Sequence, residues 1–284
     1  MPMTRRVSFH VVLVWAMWLA VAAYVAALAL HGVGSGPNWK GAYSTAVNNW
    51  VWLATDWLPA AVCWLAVSRV RSRCPEVLFA AAAVTSYALG DTYYTAVQTM
   101  TGSVPFPSLG DVAYLGFNLL MMTALVAAVR RHVRGLVASS VWLDAAVGSL
   151  GAAAVLAVVL RPVLDSDTAG PLSLATAVAV AYPMLDMVLV ATIAGIAAVR
   201  DVRVGGGWAL LILGLLAYAA TDVVYGLQAT AGTYVVGTPL DAGWALGLAL
   251  MATWVDGAAQ PERPVRKKTR AVSCLLYTSD AADE

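Results

Sequence analysis

Apolar residues run along this chain in long unbroken blocks, not in the short alternations of strands or the one-sided stripes of soluble helices. The blocks cover approximately 7–31, 43–68, 76–100, 108–129, 139–164, 172–199, 206–231 and 238–256. At about 1.5 Å per helical residue, each is about long enough to cross a hydrocarbon layer of roughly 30 Å. Lipid offers no partner to a backbone amide, so each block is predicted to be a helix. Turn and charge signals separate them: Gly32–Gly41, Arg69–Pro75, Thr101–Pro107, Arg130–Gly135, Arg161–Pro171, Arg200–Gly207 and Gly232–Pro239. The pattern predicts an all-α, polytopic membrane protein with about eight transmembrane helices. The first block, Val7 to Leu30, is longer than a signal-peptide core and reads as a retained anchor.

Composition and charge sharpen this. The chain is 61% hydrophobic and 12% charged, about half the charge of a soluble domain. Its basic residues alternate in side. Arg5 and Arg6, then Arg69, Arg71 and Arg73, then Arg130, Arg131 and Arg134, then Arg200 and Arg203, then Arg263, Arg266, Lys267, Lys268 and Arg270 make fifteen of the seventeen Lys and Arg. Only Lys40 and Arg161 fall on the other side. Short Lys/Arg-rich loops stay in the cytoplasm, so both termini are predicted to be cytoplasmic and the helix count even. Trp39, Trp50 and Trp52 near one side, with Trp142 and Trp208 near the other, fit interfacial belts. Cys63 and Cys74 show neither metal spacing nor a disulfide framework.

The polar residues inside the blocks repeat. A shift of 130 or 131 positions sets Asp56 on Asp186, Tyr87 on Tyr218, Asp91 on Asp222, Tyr94 on Tyr225, Gln98 on Gln228, Gly102 on Gly232, Asp111 on Asp241 and Tyr114 on Trp244. This predicts a parallel 4+4 tandem repeat over residues 1–256, with halves of about 7–135 and 136–256 and a pseudo-symmetry axis along the membrane normal. The first helix of each half aligns poorly, and Asp144 has no counterpart.

An aspartate at the centre of a lipid-embedded helix costs about 2.5–3.5 kcal/mol. Asp56, Asp91, Asp186 and Asp222 have no Lys or Arg at comparable depth. They are expected to face the bundle interior, where desolvation favours the neutral carboxyl. Two readings stay open: hydrogen bonds that glue helices, through Tyr87, Tyr94, Tyr218, Tyr225, Gln98 or Gln228, or a polar cavity for a ligand, proton or ion. Tyr94 and Gln98 follow Asp91 at i+3 and i+7, and Tyr225 and Gln228 follow Asp222 at i+3 and i+6. Asp111 and Asp241 each open a helix, where the dipole favours an acid. Tyr114 and Trp244, one turn on, place an aromatic beside each acid, a pair able to hold a cationic or polar ligand.

No HExxH, GxSxG or phosphate-binding loop occurs, and His10, His31 and His132 are scattered, so no enzyme activity, cofactor or metal is predicted. Expected partners are the lipid bilayer, an unknown small ligand and a second copy in a homodimer, with no nucleic acid. Residues 257–273, with Pro261, Pro264 and the basic run Arg263–Arg270, read as a juxtamembrane linker.

Two resemblances follow. The run Cys274–Glu284 resembles a translated transposon-type sequencing adapter and is set aside as non-native. Without Asp280, Asp283 and Glu284, 17 basic residues face 13 acidic ones and the net charge moves from +1 to +4. The natural chain is then expected to continue past Ser273. Residues 107–114 (PSLGDVAY), 142–144 (WLD), 181–186 (AYPMLD) and 232–244 (GTYVVGTPLDAGW) are similar to the membrane sensor region of actinobacterial GGDEF/EAL proteins, which turn over cyclic di-GMP. The resemblance spans about residues 45–256 and implies a bacterial inner-membrane input domain whose output domain follows in the cytoplasm. No GGDEF or EAL residues are present in the chain, and the family's ligand does not carry over. A transporter with two parallel repeats is the alternative.

Overall fold

The computed structural model describes residues 9–33, 46–70, 74–132, 139–168, 173–198 and 206–260. Every regular element among them is helical. The helices are α1 (Phe9–Val33), α2 (Trp52–Arg69, preceded by a π-helical turn Ala46–Val51), α3 (Pro75–Thr101), α4 (Leu109–His132), α5 (Ser139–Val159), α6 (Arg161–Thr168), α7 (Leu174–Ala198), α8 (Gly206–Thr230) and α9 (Ala242–Ala258, preceded by a 3-10 turn Pro239–Asp241). Arg5, Arg6, Trp39, Lys40, Arg71, Arg73, Arg134, Arg200, Arg203, the Arg263–Arg270 cluster and the 274–284 tail lie outside the described residues, as do the side chains of Trp142 and Asp144.

Among the described residues, five stretches are long and apolar enough to cross a membrane: Phe9–Ala29, Asn49–Arg69, Leu109–Arg131, Leu174–Ile196 and Gly207–Thr230, in α1, α2, α4, α7 and α8. The polar side chains of α3 lower its mean hydropathy, although it is 27 residues long. The 17-residue α9 is shorter than a full span, and the described apolar stretch of α5 is Ala146–Val159. The expected single helix over 139–164 is divided: α5 ends at Val159, and Arg161–Thr168 forms a separate short helix. Pro162 explains the break, because it cannot donate to the preceding turn and is tolerated only near a helix start.

Helices that follow one another pack as antiparallel neighbours: α2 on α3, α3 on α4, α5 on α7, and α8 on α9. Further contacts join sequence-distant parts, α2 and α3 on α9 and α4 on α7, while α1 lies against α2 and α9. Glycine permits the closest approach. A Cβ on Gly214 of α8 would stand 2.9 Å from the Gly247 carbonyl oxygen of α9, and one on Gly247 would stand 3.0 Å from that of Gly214. Small residues let backbones meet in this way.

The surface is apolar and the interior partly polar. Trp15, Leu19, Leu119, Leu150, Val158 and Leu213 are exposed, whereas Asp56, Asp91, Asp186 and Asp241 are buried. That inversion suits lipid and would be costly in water. Two ion pairs sit at one end of the bundle, hereafter the arginine end. Arg69 of α2 holds Asp256 of α9, and Arg131 of α4 holds Glu76 of α3 at 2.5 Å. At the opposite, turn end, α3 and α8 stop on left-handed glycines, Gly102 (φ 78°) and Gly232 (φ 65°). The Gly102 amide donates to the Gln98 carbonyl and the Thr233 amide to that of Gln228, so each terminal turn is capped.

Candidate functional site

Asp91 lies ten residues before the end of α3, under the turn end, and is buried. Two donors from other helices converge on it. The Tyr114 hydroxyl of α4 donates to Oδ1 at 2.5 Å, and the Trp52 indole at the start of α2 donates to Oδ2 at 2.6 Å. Asp56, one turn further along α2, stands within hydrogen-bonding reach of the Asp91 carboxyl, and among the described residues no N–H or hydroxyl donor reaches its buried Oδ2. Pro59 follows it, so one backbone hydrogen bond of α2 is missing beside the carboxyl. Tyr24 of α1 stands edge-on to Trp52, with ring centroids 5.6 Å apart. Its buried hydroxyl has no hydrogen-bond partner among the described residues and lies in the electrostatic reach of Asp241, Asp56 and Asp91.

A second pair has the same composition. Asp186 of α7, three residues after Pro183, stands within hydrogen-bonding reach of Asp222 of α8. The Trp244 indole of α9 donates to Asp222 Oδ1 at 2.6 Å. Asp186 Oδ1 is buried without a donor. Aromatic rings fill the space between the pairs. Tyr87 meets Tyr218 at 5.8 Å, Phe117 packs on both at 5.6 and 4.6 Å, and Trp52 meets Trp244 at 6.3 Å.

Above them, Asp111 and Asp241 tie down the turns. Asp111 Oδ2 accepts from the Ser108 amide (2.6 Å) and hydroxyl (2.9 Å), while its Oδ1 accepts from the Tyr182 hydroxyl of α7 (2.7 Å). Asp241 Oδ2 accepts from the amides of Gly237 (2.6 Å) and Thr238 (3.1 Å), and its Oδ1 from the Tyr234 hydroxyl (2.9 Å). Burial, and then the adjacent Asp241 carboxylate, push the Tyr234 hydroxyl well above the ordinary tyrosine range, so it stays a donor.

Of the twelve candidate residues, Asp56, Asp91 and Tyr114 come together in one cluster and Asp186, Asp222 and Trp244 in the other. Tyr114 and Trp244 do not pair with Asp111 and Asp241, as their spacing suggested. The oxygens of those acids are taken by turn amides and by tyrosines from elsewhere. Tyr114 instead leans across Gly90, where a Cβ would stand 2.7 Å from its ring. Tyr94 and Gln98 are exposed, and the Gln98 amide donates to the Gly102 carbonyl at 3.0 Å, so they line no cavity with Asp91. Gln228 lies in the last turn of α8, where its backbone carbonyl takes the cap. Tyr225 stacks edge-on to Tyr234 and Trp244.

The sequence reading missed Tyr24, Trp52, Tyr182 and Tyr234. Trp52 and Tyr182 stand 130 positions apart, an aromatic four residues before each of Asp56 and Asp186, and that spacing was the available signal. Among the described residues, no group of three His, Cys, Asp or Glu is arranged to hold a metal ion. Comparison with protein-family models, with characterised proteins and with solved structures returned no match.

Proposed function

We propose that this chain is the membrane-embedded input domain of a bacterial signalling protein. It spans the inner membrane eight times as two parallel four-helix halves, with both termini in the cytoplasm. A ligand or a membrane change alters the packing between the halves, and α9 passes the shift through the basic linker to a cytoplasmic output domain. Such relay requires the stimulus to bind two packing states with different affinity.

The observation that carries the reading is the pair of buried aspartate clusters, one in α2–α4 and one in α7–α9. Each couples two carboxyls on neighbouring helices and takes an aromatic donor from a third helix. Intramembrane acids are expensive and mark functional interiors. The crossed contacts, α2 on α9 and α4 on α7, are those a two-fold axis along the bilayer normal would generate. So is the meeting of Tyr87 with Tyr218, its counterpart in the repeat. The resemblance of the 107–114 and 232–244 runs to the sensor region of GGDEF/EAL proteins supports cyclic di-GMP turnover as the output.

Reading the genomic frame beyond Ser273 tests this. A frame that enters a GGDEF or EAL domain supports it, and a stop codon at that point removes it. In the full-length protein, Asp91→Asn and Asp222→Asn should change cyclic di-GMP output, and unchanged output under every stimulus would count against those residues as the input. The duplicated carboxyls also suit a proton-coupled or small-molecule transporter, which substrate flux in proteoliposomes holding this chain alone would favour.

A further inference from the structure

Two carboxyl groups hydrogen-bond each other only when one of them carries a proton, because an ionised carboxylate has acceptors and no donor. Two such pairs lie here. Asp56 faces Asp91 and Asp186 faces Asp222 within hydrogen-bonding reach, each across a helix–helix contact, and Asp56, Asp91 and Asp186 are buried.

The surroundings decide which member holds the proton. Asp91 receives an O–H from Tyr114 and an N–H from Trp52, one on each oxygen. Asp222 receives the Trp244 N–H on Oδ1. Donors aimed at a carboxyl favour its anion. Asp56 and Asp186 have the opposite setting. Each has an oxygen that no N–H or O–H reaches, and each touches a carboxylate. An ionised Asp56 beside an ionised Asp91 would set two like charges together away from water, with no cation to offset them.

Among the described residues, the groups facing the pairs supply no such cation. Around Asp56 and Asp91 these are Tyr24 from α1, Tyr87 from α3, Tyr114 from α4 and, further off, Asp241 from the 3-10 turn. Around Asp186 and Asp222 they are Tyr182 from α7, Tyr218 from α8 and, beyond Tyr182, Asp111 from α4. Arg69 and Arg131 are engaged at the arginine end, and Arg161 pairs with Asp165 on the exposed face of α6. The Tyr24 hydroxyl is buried with no hydrogen-bond partner among the described residues, and the carboxyls in its electrostatic reach are Asp241, Asp56 and Asp91.

We infer that each carboxyl pair is a proton-binding site, holding one proton on Asp56 or Asp186 and donating it to the ionised Asp91 or Asp222. The domain thus binds two protons in its interior, one in each cluster. Losing either leaves two adjacent anions, which drives α2 from α3 or α7 from α8. Proton occupancy follows from the paired geometry, whereas its service as the domain's input rests on the sensory reading.

Infrared difference spectroscopy of the detergent-solubilised full chain, in H2O and D2O at neutral pH, tests it. The expected result is a protonated-carboxyl C=O band that shifts in D2O. It should fall by about half in Asp56→Asn and in Asp186→Asn, and vanish in the double variant. Asn keeps the fold testable because its amide can donate as the protonated acid does. Absence of the band in the parent chain, or its survival in the double variant, overturns the inference. Carbodiimide labelling of the unmutated chain provides a check that needs no variant, since it modifies protonated carboxyls in apolar surroundings. Mass spectrometry should find adducts on Asp56 and Asp186, and adducts confined to Asp91 and Asp222 would overturn the assignment. Neither measurement reads signalling output, so a failed sensory reading and a failed proton site are told apart.

Discussion

The Tyr114 hydroxyl offers the sharpest test of the site, because removing it deletes one hydrogen bond and almost nothing else. Tyr114→Phe keeps the ring that lies over Gly90 and packs on Tyr87 at 5.4 Å. What it removes is the O–H donated at 2.5 Å to Asp91 Oδ1, the link between α3 and α4. Asp91 retains the Trp52 indole on its other oxygen, so the carboxyl loses one of two converging donors. Hydrogen bonds to charged groups contribute about 1.5–3 kcal/mol, and a buried oxygen left unpaired retains its desolvation cost. The expected destabilisation is therefore about 1.5–3 kcal/mol, on the order of ten- to a hundredfold in the unfolding equilibrium. Denaturant titration in micelles, followed by far-UV circular dichroism, measures it. Tyr94→Phe, on an exposed ring of α3, serves as the control and should stay within about 0.5 kcal/mol. A double-mutant cycle with Asp91→Asn should return a coupling of about 1 kcal/mol or more. Parent-like stability in Tyr114→Phe, or zero coupling to Asp91, would refute the arrangement.

Three further outcomes are expected. Gly243→Ala would set a Cβ 2.0 Å from Thr221 Oγ1 where α8 and α9 touch, and should cost about 1–3 kcal/mol; adding Thr221→Ala should recover most of it in the same titration. Gly102→Ala meets open space but must hold φ 78°, so its loss of about 1–2 kcal/mol should stay the same whatever its neighbours become. Asp256→Asn breaks an ion pair whose side chains are only 29% and 11% exposed, so the loss should be about 1.5–3 kcal/mol and should shrink only modestly in high salt.

The long helices were legible in the sequence because lipid imposes one rule on every residue of a span, and the blocks around Phe9–Ala29 and Gly207–Thr230 carry that rule plainly. The break at Leu160 was less legible, since Pro162 sits at the edge of an apolar block and can be read as its end or as the start of another element. The four interior aspartates stood out for their cost in hydrocarbon. Their partners did not. Helical spacing pointed along each helix, from Asp91 to Tyr94 and Gln98, whereas the donors come from across, from Tyr114 and Trp52. Sequence periodicity describes one helix at a time, and a hydrogen bond between helices depends on a register that only packing sets. Gly90 mattered for the same reason: its missing side chain opens the path by which Tyr114 reaches the carboxyl.

Helix α2 joins two otherwise distant events. It bears Asp56 near one end and, thirteen residues on, Arg69 at the other, about 20 Å apart along the axis. Arg69 grips Asp256, two residues before α9 ends. A rod gripped at both extremities cannot swivel quietly: any tilt that relieves crowding around Asp56 must tug on the last helix where the chain departs the bundle. That leverage needs no long wire of contacts, only the stiffness of one helix and a single guanidinium handhold.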